Sequence, residues 1–313
     1  MDANTNLFGT HPAAARVRVE LNHYPSAHSD DLRAELARTY GLSPDRIIVG
    51  NGSDEILDFL TKAFVRPAAT VCVATPSFVM YDFYARVNLA AVRAVPLRPD
   101  FQIDPDKILA TRAALTFIAS PNNPTGNAMD PEAIRTVARR SAGIVVVDEA
   151  YAEFCDQNFL PEALGNVVVL RTFSKAFGLA GLRVGWAAAS ADVIERLHRV
   201  KPPFTVGAYA EAVAIAALRD RTFVDAVVRE VHAERNRLFR ELAAFARPFP
   251  SDANFMLVDT GRPAAEVAAA MRARGILVRD MSDFPGLQTC IRFTIGPRAM
   301  NDRLLEALRS CCA

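Results

Sequence analysis

The stretch TFSKAFGLAGLRVGW (172–186) holds one lysine, Lys175, directly after the apolar run NVVVLRTFS (166–174). Apolar surroundings disfavour an ammonium ion, and the free amine is a nucleophile able to form a Schiff base with a carbonyl. A surface lysine snorkelling to water is the competing reading of this residue alone. Asp148 ends a second apolar run, GIVVVDEA (143–150). A carboxylate there requires a cation or a strong donor, so a ligand-facing acid competes with a salt-bridged structural one. After RIIVG (46–50) comes NGSDEIL, where Gly50 and Gly52 permit a tight turn and Ser53 and Asp54 open a helix. Free N–H groups at such a helix start can hold a phosphate, provided the Asp54 and Glu55 carboxylates turn away. An ordinary capped turn would use the same residues.

Two further apolar runs end in the same manner. ATVCVA (69–74) leads into TPSFVMYDFY, with Phe78, Tyr81, Phe83 and Tyr84, which could pack a core or offer a face to a flat ring. ALTFIAS (114–120) leads into SPNNPTGN, a proline-stiffened turn whose amides, Asn123 among them, can be aimed into a cleft. Arg183 stands among Gly178, Gly181 and Gly185, which allow backbone and ligand to approach closely. Each residue has a structural explanation by itself. In sequence order, however, they supply a phosphate nest, an aromatic face, an amide, an acid and an amine, the set that a pyridine aldehyde phosphate needs.

The elements that must position these groups follow from hydrophobic pattern. Continuous rather than alternating apolar runs predict strands covered on both faces, hence a mostly parallel sheet with helical crossovers. Ligands bind such sheets at the carboxyl ends of the strands. SDEILDFLTKAF and PEAIRTVARRS (131–141) show helical spacing. From about residue 205 a long helical stretch, AYAEAVAIAALRDRTFVDAVVREVHAERNRLFRELAAF, precedes short strands NFMLVDT, GILVRD and CIRFTIG, the helix EVAAAMRARG and a terminal helix. The expected fold class is α/β, a three-layer sandwich with a mostly parallel central sheet plus a smaller α+β domain. The expected division is 30–205 for the large domain and 206–313 for the small one, with 1–29 packing on the small domain or on a partner subunit.

Composition narrows the partners. The chain has 313 residues, 51% hydrophobic, with 36 basic and 35 acidic side chains and a net charge of +1, so neither a nucleic-acid nor a membrane-surface field is expected. No window approaches the roughly 18 apolar residues of a membrane span. The N-terminus has an acid at position 2 and no apolar block, which argues against a signal peptide. Five cysteines, 72, 155, 290, 311 and 312, include no CxxC pair, and the adjacent terminal two are not expected to form an ordinary disulfide. A soluble cytoplasmic protein acting on small molecules is the expectation. GxGxxG, GxxxxGK[ST] and GxSxG are absent from the sequence, and its five histidines lack metal-ligand spacing apart from a loose His23 and His28 pair.

LNHYPS, VGNGSDEIL, TPSFVMY, SPNNPTGN, VVVDEAYAEF, TFSKAFGLAGLRVGW, ANFMLV, GILVRD and IRFTIG together resemble the blocks of the fold-type I, pyridoxal 5'-phosphate (PLP) dependent aminotransferases, most closely the histidinol-phosphate aminotransferase family. The resemblance covers nearly the whole chain. It implies that Lys175 bonds to PLP and moves the proton at the substrate α-carbon, and that Asp148 pairs with the pyridine nitrogen. It gives Tyr151 and Asn123 as partners of the ring's phenolic oxygen and Phe78 as the stacking face. Ser53 and Asp54 through backbone groups, with Thr172, Ser174 and Arg183 through side chains, would hold the phosphate. Arg292 would clamp the substrate carboxylate or its equivalent end, while Arg279, Asn4 and Tyr24 are implied as further substrate contacts. Tyr24, also implied as a cofactor contact, would reach over from the other subunit of a homodimer. Glutamate is the expected amino donor, and a related PLP decarboxylase acting on O-phosphothreonine is the alternative. Three features depart from the family pattern: the N-terminal arm is largely missing, Leu7 or Phe8 is expected at the substrate-facing position, and Gly207 replaces the usual asparagine.

Overall fold

In the computed structural model, which describes residues 1–163 and 165–312, the apolar runs form a seven-stranded sheet. Its strands are β1 (Ile47–Asn51), β2 (Thr70–Thr75), β3 (Ala91–Pro96), β4 (Leu115–Ala119), β5 (Ile144–Asp148), β6 (Val167–Thr172) and β7 (Val184–Ala188), in spatial order β1-β7-β6-β5-β4-β2-β3. All neighbours are parallel except β7, which runs against both β1 and β6. β4 and β6 are buried along their whole length, as unbroken Val, Ile and Leu runs require when helices cover both faces.

Helices flank this sheet. Gly52–Phe64 buries Ile56, Leu57, Phe59 and Leu60 against it. Pro131–Arg140 starts at Asp130, whose carboxylate accepts the Glu132 N–H at 3.0 Å, and ends in Arg139 and Arg140, which complement the helix dipole.

A second sheet contains β8 (Arg247–Pro248), β9 (Phe255–Asp259), β10 (Arg279–Asp280) and β11 (Cys290–Thr294), in order β10-β11-β9-β8 and antiparallel throughout. The long helical stretch expected after residue 205 is two helices, Ala208–Arg219 and Thr222–Leu242. Asp220 breaks it, its side chain accepting the Thr222 N–H at 3.2 Å. GILVRD contributes strand only at its last two residues.

The chain begins on this small sheet: the Thr294 N–H donates to the Met1 carbonyl at 2.7 Å, and the Asn4 N–H to Thr294 Oγ1 at 3.0 Å. One apolar core runs from Val49, Val147 and Val169 of the large sheet through Val213 and Leu238 to Phe255 and Phe293 of the small one. Cys72, Cys155, Cys290 and Cys311 are free thiols, and burial pushes Cys72 up to about 11 and Cys290 to about 12. The expectation for the Cys311 and Cys312 pair falls outside the described side chains. Among the described residues, no helix is long and apolar enough to cross a membrane.

Candidate active site

A cavity of about 250 Å³ opens at the carboxyl ends of the parallel strands, and the polar residues after each apolar run meet in it. From the first strand end come Ser53 and Asp54, from the second Phe78, and from the fourth Asn123. β5 contributes Asp148 and, three residues on, Tyr151; β6 contributes Thr172, Ser174 and Lys175. Arg183, just before β7, closes the ring. Ten of the residues singled out in the sequence thus share one pocket.

The phosphate-like nest is built by close approach. A Cβ on Gly185 would lie 2.2 Å from the Ser53 nitrogen, so only glycine lets β7 pass this near to the helix start. Gly52 has φ +75° and a Cβ there would lie 2.5 Å from Arg183 Nη2. Thr172 Oγ1 donates to Ser174 Oγ at 3.0 Å and accepts the Ser174 N–H at 3.1 Å, which fixes both hydroxyls in the nest. The Asp54 side chain does not turn away as expected. Its Oδ2 accepts from Arg183 Nη2 at 2.9 Å, because Arg183 sits in the left-handed region and swings its guanidinium over Gly52 toward the acid of the first helical turn.

Asp148 is 6% exposed, the most costly place in the pocket for a charge. Burial pushes its carboxyl up to about 6, against the pull of donors from Tyr81 and the Ala150 N–H. Tyr81 is the functional residue that sequence reasoning missed. Its hydroxyl donates to Asp148 Oδ2 at 2.6 Å, and its ring lies flat on Phe117 and edge-on to Phe78. The signal lay in TPSFVMY, where Tyr81 follows Phe78 by three residues at the start of the helix Met80–Val87. Tyr81→Phe is expected to leave the fold intact and lower turnover about 10- to 100-fold, the worth of one hydrogen bond to a charged group. Steady-state kinetics beside a thermal melt checks it.

Lys175 lines the cavity and is half-buried rather than enclosed; its Nζ stands 5.5 Å from the centre of the Tyr151 ring. The Tyr151 hydroxyl accepts from Asn4 Nδ2 at 3.1 Å. Asn122 holds the SPNNPTGN turn through Ser77, the Pro76 carbonyl and Thr125, which leaves Asn123 facing the pocket. Asn123 Oδ1 accepts from Arg292 Nη1, and the Asp2 carbonyl accepts from Arg292 Nη2 at 2.8 Å. Arg292 Nε is buried without a partner among the described residues, and burial pulls this guanidinium below its ordinary value. Arg292, which adjoins the pocket through Asn123 without lining it, is therefore a cation with unspent donor capacity.

One expectation changes, and Arg279 and Tyr24 lie outside the cavity. Ala3 and Thr5, not Leu7 or Phe8, line the pocket: Leu7 packs onto Gly296 and Phe8 onto the core, where apolar side chains find apolar partners. Arg279 is exposed on β10 opposite Arg292 and lies outside the pocket. Tyr24 is 84% exposed and rests on Phe204, ring centres 4.9 Å apart, away from the pocket of its own chain. Of the other aromatics, Phe83 is exposed.

An α/β sandwich with one lysine and one buried carboxylate on adjacent strand ends defines an enzyme that works through an amine. The chain belongs to the aminotransferase class I and II family, whose model matches residues 1–308. It is 43% identical over 93% of its length to a histidinol-phosphate aminotransferase of Thermococcus gammatolerans, covering 83% of that protein. The crystal structure of histidinol-phosphate aminotransferase from Sinorhizobium meliloti, in complex with pyridoxal-5'-phosphate, superposes with a TM-score of 0.92 at 29% identity, over 99% of this chain and 90% of that one. An L-threonine-O-3-phosphate decarboxylase from Porphyromonas gingivalis superposes with a TM-score of 0.83 at 25% identity, over 93% of this chain and 91% of that one.

Proposed function

We propose that this aminotransferase, with PLP as cofactor, interconverts histidinol phosphate and its oxo counterpart, with glutamate as the amino donor to the oxo compound and 2-oxoglutarate as the acceptor in the reverse direction, in the cytoplasm, as a homodimer. The observation that carries the reading is the single pocket in which Lys175, the buried Asp148 and the Ser53, Thr172, Ser174 and Arg183 donors converge. That donor set fits the cofactor. The hydroxyls and guanidinium suit a phosphate, Phe78 offers a face, and a buried acid needs the cation that a protonated ring nitrogen provides. When bound, PLP supplies an aldehyde that takes amines and a ring that draws electrons from the bond broken at the substrate.

This chain's own groups do the rest. The Lys175 amine would hold the aldehyde and move the proton at the substrate α-carbon. Asp148, held by Tyr81, would keep a proton on the ring nitrogen. Tyr151 and Asn123 would orient the ring's phenolic oxygen, and the nest would anchor the phosphate. Arg292 binds the carboxylate end of glutamate. Arg292→Lys is expected to raise KM for glutamate about tenfold or more with a smaller change in kcat, since an ammonium cannot make the forked pair. Initial rates over a glutamate series check this.

The exposed Tyr24, presented on Phe204, supports a contact made across a dimer, and Arg279 beside Arg292 supports a second basic contact for the phosphate end of a substrate. A large unit over 30–205, a small one over 206–313 and the segment 1–29 packing on the small one or on a partner subunit belong to the same proposal. The test supplies PLP with histidinol phosphate and 2-oxoglutarate in one assay and with O-phosphothreonine in a second, and follows glutamate and CO₂ in both. Glutamate with no CO₂ supports the proposal; CO₂ from O-phosphothreonine without amino transfer overturns it.

A further inference from the structure

We infer that Glu149 and Arg171 are positioning residues that clamp the strand ends carrying Asp148 and Lys175, outside the pocket they serve. Neither side chain lines the cavity. Arg171 alternates with Thr172 along β6 and so projects to the opposite face of the sheet.

The need for a clamp is visible in the ladder. Pairing between β5 and β6 ends at Asp148 with Leu170, and the last main-chain link is the Glu149 N–H to the Leu170 carbonyl at 2.8 Å. Beyond it, β5 turns away into Tyr151, and β6 is paired with β7 alone as far as Thr172. Thr172, Ser174 and Lys175 all lie past that last link. A small splay of the two chains would separate the acid from the amine, and misplacement on the order of 1 Å is enough to cost about 100-fold in rate.

Glu149 and Arg171 close this gap. Glu149 Oε2 accepts from Arg171 Nε at 2.9 Å and from Nη2 at 2.7 Å. The other carboxylate oxygen accepts the Phe159 N–H at 2.7 Å, and Arg171 Nη2 also donates to Asn158 Oδ1 at 3.0 Å. One buried pair therefore ties the Asp148 strand, the Lys175 strand and the segment returning from Tyr151. Glu149 is 1% exposed and Arg171 7%, so the geometry is held in low dielectric. Burial pulls the Arg171 guanidinium down, but Glu149 and Glu153 outweigh it and keep it charged. Stability alone does not account for such a pair, because apolar side chains of similar volume commonly serve as well or better.

The inference rests on the PLP reading, and the experiment separates the two. PLP is added to cofactor-free wild type, Glu149→Gln and the charge-free pair Glu149→Gln with Arg171→Met. Cofactor affinity, the pH midpoint of the bound cofactor's visible band, kcat, KM and the thermal midpoint are measured for each. Wild type with no visible band sinks the PLP reading and this inference with it. With the wild-type band present, the variants are expected to lose about 10- to 100-fold in kcat with KM within about threefold, and to shift the midpoint of the band. Should Glu149→Gln fail to fold, the charge-free pair gives the same readouts. Variants that fold and match wild type in kcat and band midpoint, even if less stable, overturn the inference and leave the PLP reading standing.

Discussion

Replacing Lys175 with alanine is expected to lower amino-group transfer by at least about 10³-fold, the combined loss of a covalent amine and a proton carrier. Of the four lysines in the sequence, Lys175 is the one that lines the pocket. Lys62 and Lys107 pair with Asp58 and Asp104 at the surface, and Lys201 donates to the Ala27 and Pro202 carbonyls elsewhere. None can move into its place. Among the described residues, Lys175 Nζ makes no hydrogen bond within the chain, so the variant should melt within a few degrees of wild type. Assays with histidinol phosphate, beside spectra of the PLP-loaded protein, check this: both turnover and the lysine-dependent visible band should vanish.

Asp148→Asn is expected to cost about 10²- to 10³-fold in turnover, because an amide cannot hold a proton on the ring nitrogen as a buried carboxylate does. The same substitution has an opposite effect on the cofactor-free protein. The folded carboxyl is pushed up to about 6 by burial, above its ordinary value of 3.8. A group raised by folding contributes stability that is complete below its unfolded pKa and is lost as pH rises through its folded pKa. A rise of this size is worth about 3 kcal/mol at most. Cofactor-free wild type should therefore lose ground to the Asn variant between about pH 4 and 7, with no further change above. Urea unfolding of both proteins across that range measures it, and parallel pH profiles would contradict the burial argument.

Much of the pocket was legible because its chemistry sits at strand ends, and unbroken runs such as IVVVD and VVVLRT mark those ends without knowledge of the pairing. The hidden parts depend on tertiary structure. β7 begins inside LRVGW, where the glycine that brings it against Ser53 makes the segment look like a loop. β3 is an edge strand, half-exposed and interrupted by Arg93 and Pro96, so its pattern is neither continuous nor alternating. Tyr81 looks like one core aromatic among four until Asp148, 67 residues away, receives its hydroxyl. Ala3 and Thr5 were passed over because small side chains carry no chemical signal; they line the pocket because the chain start is pinned to Thr294. Asp54 misled for electrostatic reasons: repulsion from a phosphate was weighed, attraction to Arg183 was not.

The claim on which all of this depends is that the amine at position 175 takes the cofactor aldehyde. Borohydride treatment of the PLP-loaded protein, which fixes a lysine-bound aldehyde as a stable adduct, followed by peptide mapping, tests it directly. The label should fall on the peptide containing Lys175 at one per chain; label on Lys62, Lys107 or Lys201 in its stead, or no adduct, would contradict the account.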